Sequence, residues 1–508
     1  MPATRRRMLA VAAALPLVGL PRARAATRVP GHLVMGISGW PATLAQWTNT
    51  GTVAQNAKLL IYRGLLGYGP DGQMRGELAE RWEHAEDGAW VFHLREAVFH
   101  NGDPVTADDV RYSIEQIAAD KSPAYMKGEM ARITAIDTPN ARTVRLTTKE
   151  PSAVLPNLFA SYFTPIVAKG SLDRAGVGIG AGPFELVGQE RGNYIDLKAF
   201  DRFYRPGLPK LRTVRLVAYA DEDARVAALK AGDVDLIEYV PWSAMEGLQA
   251  NPAFTLQTTE GPFMYMYFNA KAGPFSDVRV RQAVAIAIRR EEIVQAAFFG
   301  RGRPLESLPF ERASPFFDEA QSHGWAYDPK RAKALLAEAG VASGFPCKLL
   351  ATSTYGMIKS TAEVIQGHLA EIGIQSQLVL PDWATRIVLG NRGQFDIAVN
   401  GTTNESNDPD GMSNFVGTDL PTNYTRSFGV SSPQIDSLLA EGRRTFDMAR
   451  RKAIYAELEQ AAIKEVPMVG LCWRDQGYAM TRDLTGFTDM PGALTFYSGS
   501  TLETATFG

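Results

Sequence analysis

Along the chain, apolar and polar positions alternate with two different periods. WVFHLR, Trp90–Arg95, switches sides at every residue, the period of a half-buried strand, and HNGDP, His100–Pro104, follows it as a turn. Thr106 then opens a helix as its N-cap, with Asp108 and Asp109 placed to favour the positive end of the helix dipole. GAGPFELVGQERGNYIDLKAFDRFY, Gly180–Tyr204, reads as strand, turn, strand. DEDARVAALKAGDVDLIEYV, from Asp221, reads as a short helix ending at Gly232 and then a strand, and another helix begins after Asp277. In DPKRAKALLAEAG, Asp328 caps, Pro329 takes the first helical position and Gly340 lies past the end. Its apolar stripe is Ala332, Leu335, Leu336 and Ala339. A helix over 360–371 leads to the strand IQSQLVL, and a helix from Trp383 leads to the strand FDIAV. SSPQIDSLLAEGRR starts one more helix, with Ser432 as cap and Pro433 first. Helices alternating with strands predict the α/β class and a mixed or parallel sheet. There is no internal repeat and no low-complexity tract.

The length of 508 residues implies more than one domain. With 45% hydrophobic and 21% charged residues, the composition supports large cores. Lys+Arg 53 against Asp+Glu 55 gives no basic surplus, so nucleic acid is not an expected partner. The first residues form a separate unit. TRRRMLAVAAALPLVGLPRARA has a basic start, an apolar run from Met8 to Leu20 and small residues before a cut expected after Ala25. That run is shorter than the roughly 20 residues a membrane span needs. We read residues 1–25 as a signal peptide, and Arg5-Arg6 as a twin-arginine pattern rather than an ordinary arginine-rich leader. Cleavage would remove five arginines and no acid, leaving 48 basic against 55 acidic residues, a net charge of −7. The two cysteines, Cys347 and Cys472, could pair in an oxidising compartment or sit apart as small buried hydrophobes.

Catalytic motifs do not emerge. The chain lacks HExxH, GxSxG and a P-loop. GVGIGA, Gly176–Ala181, fits GxGxxA by letter, but Pro183 leads into a strand instead of a dinucleotide-binding helix. The six histidines have no metal spacing. SNDPDG, Ser406–Gly411, hints at a calcium loop but fails at both ends, with Ser406 at the first ligand position and Gly417 where a bidentate Glu belongs. No catalytic residue, metal ligand or cofactor is expected. What stands out instead is FDIAVNGTTNESNDPDGMSNF, Phe395–Phe415, where a strand runs directly into a stretch of short polar side chains.

Several spaced blocks resemble the family 5 solute-binding proteins of ABC importers. LAERWEHAEDGAWVFHLREAVFHNGDPVTADDVRYSIE looks like that family's signature region, and GAGPFELV, ALKAGDVDLIE, FNAKAGPFSDVRVRQAVAIAI and IDSLLAEGRR follow in the family's order. The resemblance implies a periplasmic binding protein fold of two hinged lobes around a cleft, with an extra inserted domain. It implies domain I in residues 26–65, 180–265 and 478–508, the inserted domain II in 66–179, and domain III in 266–477. It also implies what the polar stretch is for: in peptide-binding members this loop lines the cleft. Thr402 stands where a Trp is common, and Glu405 where an Asp pairs with the peptide's ammonium. Asn404 and Asn407 are candidate ligands for a polar solute. From loops facing the same cleft we add Tyr355, Trp383, Asn423 and its neighbour Tyr424, Trp40, Trp47 and Trp242, with Arg386 as a possible partner for a ligand carboxylate. Glu405 for Asp and Thr402 for Trp both depart from the peptide-binding pattern. The expected function is capture of a peptide or peptide-like polar solute, such as an opine or modified peptide, by a periplasmic monomer that delivers it to an inner-membrane ABC permease and ATPase. An oligosaccharide or metal-chelate carrier is the alternative, and an exported hydrolase a more remote one.

Overall fold

Long β-branched and aromatic runs build one mixed sheet of eleven strands in the computed structural model, which describes residues 29–49, 51–312, 314–404 and 408–508. The expected signal peptide, Glu405 and Asn407 lie outside the described residues. The strands are β1 (His32–Ile37), β2 (Phe184–Glu190), β3 (Tyr194–Ala199), β4 (Thr213–Ala218), β5 (Leu236–Ile237), β6 (Phe254–Phe268), β7 (Gly302–Pro304), β8 (Phe345–Leu350), β9 (Ile374–Val379), β10 (Ile397–Thr402) and β11 (Val469–Thr481). Their order across the sheet is β9-β8-β10-β6-β11-β5-β1-β4-β3-β2, with β7 alongside β11. At one end β9, β8 and β10 run parallel, and near the other β5, β1 and β4 do so. Two long antiparallel strands, β6 and β11, join these halves.

β6 has two characters. Its first part, FTLQTTE, is only partly buried, whereas Phe263–Phe268 is wholly enclosed. Such a continuous apolar run marks a strand covered on both faces. Between them, at Glu260–Phe263, the register against β11 shifts. Gly261 sits in that irregularity, and a β-carbon there would lie 2.1 Å from the carbonyl carbon of Gly492. Only glycine lets the two backbones approach so closely.

Five helices position the site: α1 (Thr52–Ile61), α2 (Gly356–Glu371), α3 (Trp383–Asn391), α4 (Pro433–Arg444) and α5 (Met448–Glu465). Caps read from the sequence are present. Asp328 accepts from Arg331 N at 2.9 Å and Ser432 from Ile435 N at 3.4 Å, while Thr106 and Asp109 form a reciprocal capping box. α2 starts at Gly356, one turn before its expected start. A separate four-stranded antiparallel sheet, within residues 79–148, carries the Trp90 strand. Residues 176–181 form no helix and lead into β2. Cys347 and Cys472 are both buried and unpaired, so the disulfide alternative falls. From Gly31 to Gly508 the chain is one compact unit. Among the described residues no helix is long and apolar enough to cross a membrane.

Candidate functional site

A strand that stops supporting the ladder while its chain continues inward leaves polar groups to be used elsewhere. β10 does this. Thr402 still pairs with Phe263, but the next residues leave the sheet. Thr403 Oγ1 donates to Ala493 O at 3.0 Å, and Asn404 Nδ2 donates to Pro309 O at 3.2 Å. Asn404 Oδ1 is buried without a donor among the described residues, a costly state for a polar atom unless something else supplies one. Thr402, Thr403 and Asn404 line a cavity of about 140 Å³, room for roughly ten waters.

One wall is aromatic. Tyr355, the residue before α2, meets Trp383 edge-on at 5.1 Å, and Trp383 meets Tyr424 edge-on at 6.0 Å. Tyr239 stacks on Phe496 at 6.0 Å and approaches Tyr355 at 6.3 Å. Burial pushes the Tyr355 phenol well above its usual range, with Tyr239 and Glu238 adding to the effect, so it stays neutral and able to donate. Across the cavity stand Tyr162 and Tyr497, again edge-on, at 5.7 Å. These come from the chain segment carrying the four-stranded sheet and from the C-terminal 3-10 stretch Gly492–Glu503. Thr52 and Gln55 enter from the start of α1. Among the described lining residues no side chain carries a charge.

The residues singled out from sequence divide cleanly. Tyr355, Trp383, Thr402 and Asn404 meet at the cavity. Asn423 stands just outside it, where its Oδ1 accepts from Thr425 N at 2.8 Å and orients the loop carrying Tyr424 and Thr425. Arg386 is fully buried behind the aromatic wall. Its guanidinium donates to Val399 O at 2.8 Å and to Tyr267 Oη at 3.2 Å, and lies over the rings of Trp383 and Tyr424 at 5.3 and 5.7 Å. It therefore braces the wall and does not line the cavity. The three tryptophans read as first-lobe walls are elsewhere. Trp47 is buried and donates to Pro165 O at 3.0 Å. Trp242 donates to Asp475 O at 2.8 Å and packs edge-on to Phe298. Trp40 lies half-buried against the core around β1. A carbonyl and an apolar bed satisfy an indole as well as a ligand would. Two other sequence signals also resolve structurally. Asp408 pairs with Arg451 at 2.8 Å and Asp410 with Arg443 at 2.8 Å, leaving neither acid for calcium. His32 bonds Thr213 on the neighbouring strand. Among the described residues no cluster of His, Cys, Asp and Glu could hold a metal.

Sequence reasoning passed over Gln55, Tyr162, Tyr239, Phe496 and Tyr497. Gln55 is buried among apolar neighbours of α1 and reads as helix interior. Tyr239 closes the segment read as a strand after Gly232, and the other three lie in segments without periodicity.

Two halves of a sheet joined by two long strands, with a polar and aromatic cavity walled from both, define a solute-binding protein of the cleft type. The chain belongs to the bacterial extracellular solute-binding proteins, family 5, whose sequence profile matches residues 73–423. As a member it is the solute-binding component of an ABC importer. It is 40% identical to the binding protein AgaA of A. tumefaciens R10, solved in complex with agropinic acid, with a TM-score of 0.89 over 94% of this chain and 99% of that one. MoaA of the same strain, solved with mannopinic acid, is 25% identical with a TM-score of 0.82, covering 94% and 100%. The glutathione-binding protein GsiB of Escherichia coli (strain K12) is 27% identical over 478 residues, 90% of this chain and 92% of that one.

Proposed function

We propose that this protein captures an opine-like conjugate, a polyhydroxylated chain joined to an acid, and hands it to an inner-membrane ABC permease without altering it. The observation that carries this is that the described wall of the cavity holds no charged side chain and is built of phenols, an indole and side-chain amides. Hydroxyl groups pair with amides and phenols, and the C–H faces of a polyol lie against aromatic rings. A free ammonium enclosed there would want a carboxylate, since an unpaired buried charge is very costly. Agropinic acid, the solute bound by AgaA, is a hexitol chain carried on a lactam nitrogen. It has one carboxylate and no basic nitrogen, so it brings no ammonium in need of a facing carboxylate, and its acid asks only for hydrogen-bond donors. Thr402, Asn404, Tyr355 and Trp383 are the contact residues we assign to it, with Tyr424 and Gln55. The arginine-rich leader of residues 1–25 supports export to the periplasm by the twin-arginine route, and we assign the working form as a monomer.

The test is calorimetry on the purified protein with agropinic acid, mannopinic acid and a panel of dipeptides. Mannopinic acid and the dipeptides carry a basic nitrogen, whereas agropinic acid does not. Agropinic acid is expected to bind at least about a hundredfold more tightly than any dipeptide, a difference of roughly 2.7 kcal/mol. Binding of dipeptides alone, abolished by Glu405→Gln, would replace this reading with an ammonium-anchored peptide site.

A further inference from the structure

A carboxylic acid needs a receptor for its negative charge, and the described wall offers no cation. Arg386, the cationic candidate, is turned away to Val399 O and Tyr267 Oη. We infer that the solute's carboxylate seats at the N-terminus of α1, against the free backbone N–H groups of its first turn and the side-chain amide of Gln55. The inference rests on the reading above that the solute is an acid.

Among the described residues three helices of two turns or more begin at the cavity, and their N-termini differ. α3 is capped by Asp382, whose Oδ1 accepts from Thr385 N at 3.1 Å. At α2 the carboxylate of Glu222 approaches, its Oε2 being 3.8 Å from the β-position of Gly356. α1 has neither arrangement. Its cap is Gly51, which has no side chain, no side-chain cap is made among the described residues, and its first turn holds no acid. The opening N–H groups of a helix have no intrahelical acceptor, and the aligned peptide dipoles favour an anion there. Gly51 has φ +89°, and a β-carbon built on it would meet nothing within 4 Å, so space is open above the helix end. Gly51, Thr52 and Gln55 all line the cavity.

Gln55 supplies the second, independent sign. It is 4% exposed, lines the cavity, and its Nε2 finds no acceptor among the described residues. A buried amide donor is rarely left unpaired unless a ligand completes it. One turn further along α1, Lys58 Nζ donates to Thr48 O at 2.7 Å. This ties down the loop that enters the helix and adds positive potential beneath the same end.

The experiment compares agropinic acid with its primary carboxamide on wild type, Gln55→Glu and Gln55→Met, by calorimetry, with a melting curve for each variant. Wild type is expected to prefer the acid by about tenfold to a hundredfold, the range for a hydrogen bond to a charged group. Gln55→Glu is expected to reverse that preference, because its carboxylate repels the acid and accepts from the carboxamide. A merely structural role would weaken both ligands alike. Should Gln55→Glu fail to fold, Gln55→Met removes the donor without adding charge and is expected to weaken the acid by roughly tenfold and the carboxamide less. Acid binding within threefold of wild type in a folded variant, or an equal loss for both ligands, overturns the subsite while leaving the opine reading intact. If neither compound binds wild type, the opine reading fails and the subsite falls with it.

Discussion

The guanidinium of Arg386 is fully buried, yet its bonding partners are two carbonyls and a phenol, and two aromatic rings flank it. A planar fork can serve several acceptors and stack at once, which a lysine ammonium cannot. Arg386→Lys should therefore cost about 1–3 kcal/mol of stability through stranded acceptors. It should also weaken solute binding, because Trp383 and Tyr424 lose the plane that holds them. Thermal melts and calorimetry on the one variant read both effects, and unchanged affinity with a lowered melt would make Arg386 a core residue only. This residue also shows what sequence could tell about the site. Tyr355, Trp383, Thr402 and Asn404 were legible because each sits where a strand has just ended or a helix is about to begin, which is where an α/β sheet presents ligand groups. Arg386 stands one turn into its helix, and the direction of its side chain depends on what packs above it. Trp47 and Trp242 lie away from the cavity for a related reason, since an indole's need for one acceptor is met by any well-placed carbonyl, and Trp40 packs against the core around β1.

At the scale of elements, helices carrying their own caps were read nearly to the residue, since Asp277, Asp328 and Ser432 each accept from their helix's first turn. The 3-10 stretch Gly492–Glu503 was not legible. Its small and hydroxyl-bearing residues have no period, and it holds shape through Asp489. That carboxylate accepts from Thr495 Oγ1 at 2.6 Å and Ser498 Oγ at 3.1 Å. Burial raises its pKa from 3.8 to about 7, outweighing those hydrogen bonds. A folded-state pKa above the unfolded one adds stability below about pH 4, and that stability is lost as pH rises through about 7. Asp489→Asn keeps the shape and cannot ionise. Its unfolding free energy should match wild type at pH 4 and exceed it at pH 8 by on the order of 1–3 kcal/mol. A parallel pair of pH–stability curves would show that the carboxylate does not titrate in this range. Because this stretch presents Phe496 and Tyr497 to the cavity, solute affinity should follow the same pH trend.

At the scale of the whole molecule, β6 and β11 are the long strands that bridge the two halves of the sheet, and the irregularity at Glu260–Phe263 interrupts their pairing near its middle. Opening the cavity to admit solute calls for a pivot there. We expect such a pivot to break a second contact, between the chain around the four-stranded sheet and the α4–α5 pair. There Ala153 N donates to Arg443 O at 2.7 Å, Arg444 meets Glu150 at 2.8 Å, and Phe446 packs on His84 at 4.3 Å between ring centres. Phe446 is 43% exposed, an apolar ring that has gained only partial cover, as suits a contact that is made and unmade. A contact present only in the closed form is absent when solute first arrives, so it governs departure and not arrival. Phe446→Ser combined with Arg444→Ser should leave the association rate of agropinic acid within about twofold and raise its dissociation rate by roughly three- to tenfold. Stopped-flow tryptophan fluorescence would follow both rates, with Trp383 in the wall as reporter. If neither rate changes, the contact persists through opening and the moving parts divide along another line. If association slows instead, the contact helps hold the open form in readiness, and solute would be selecting a state that the unliganded protein already populates.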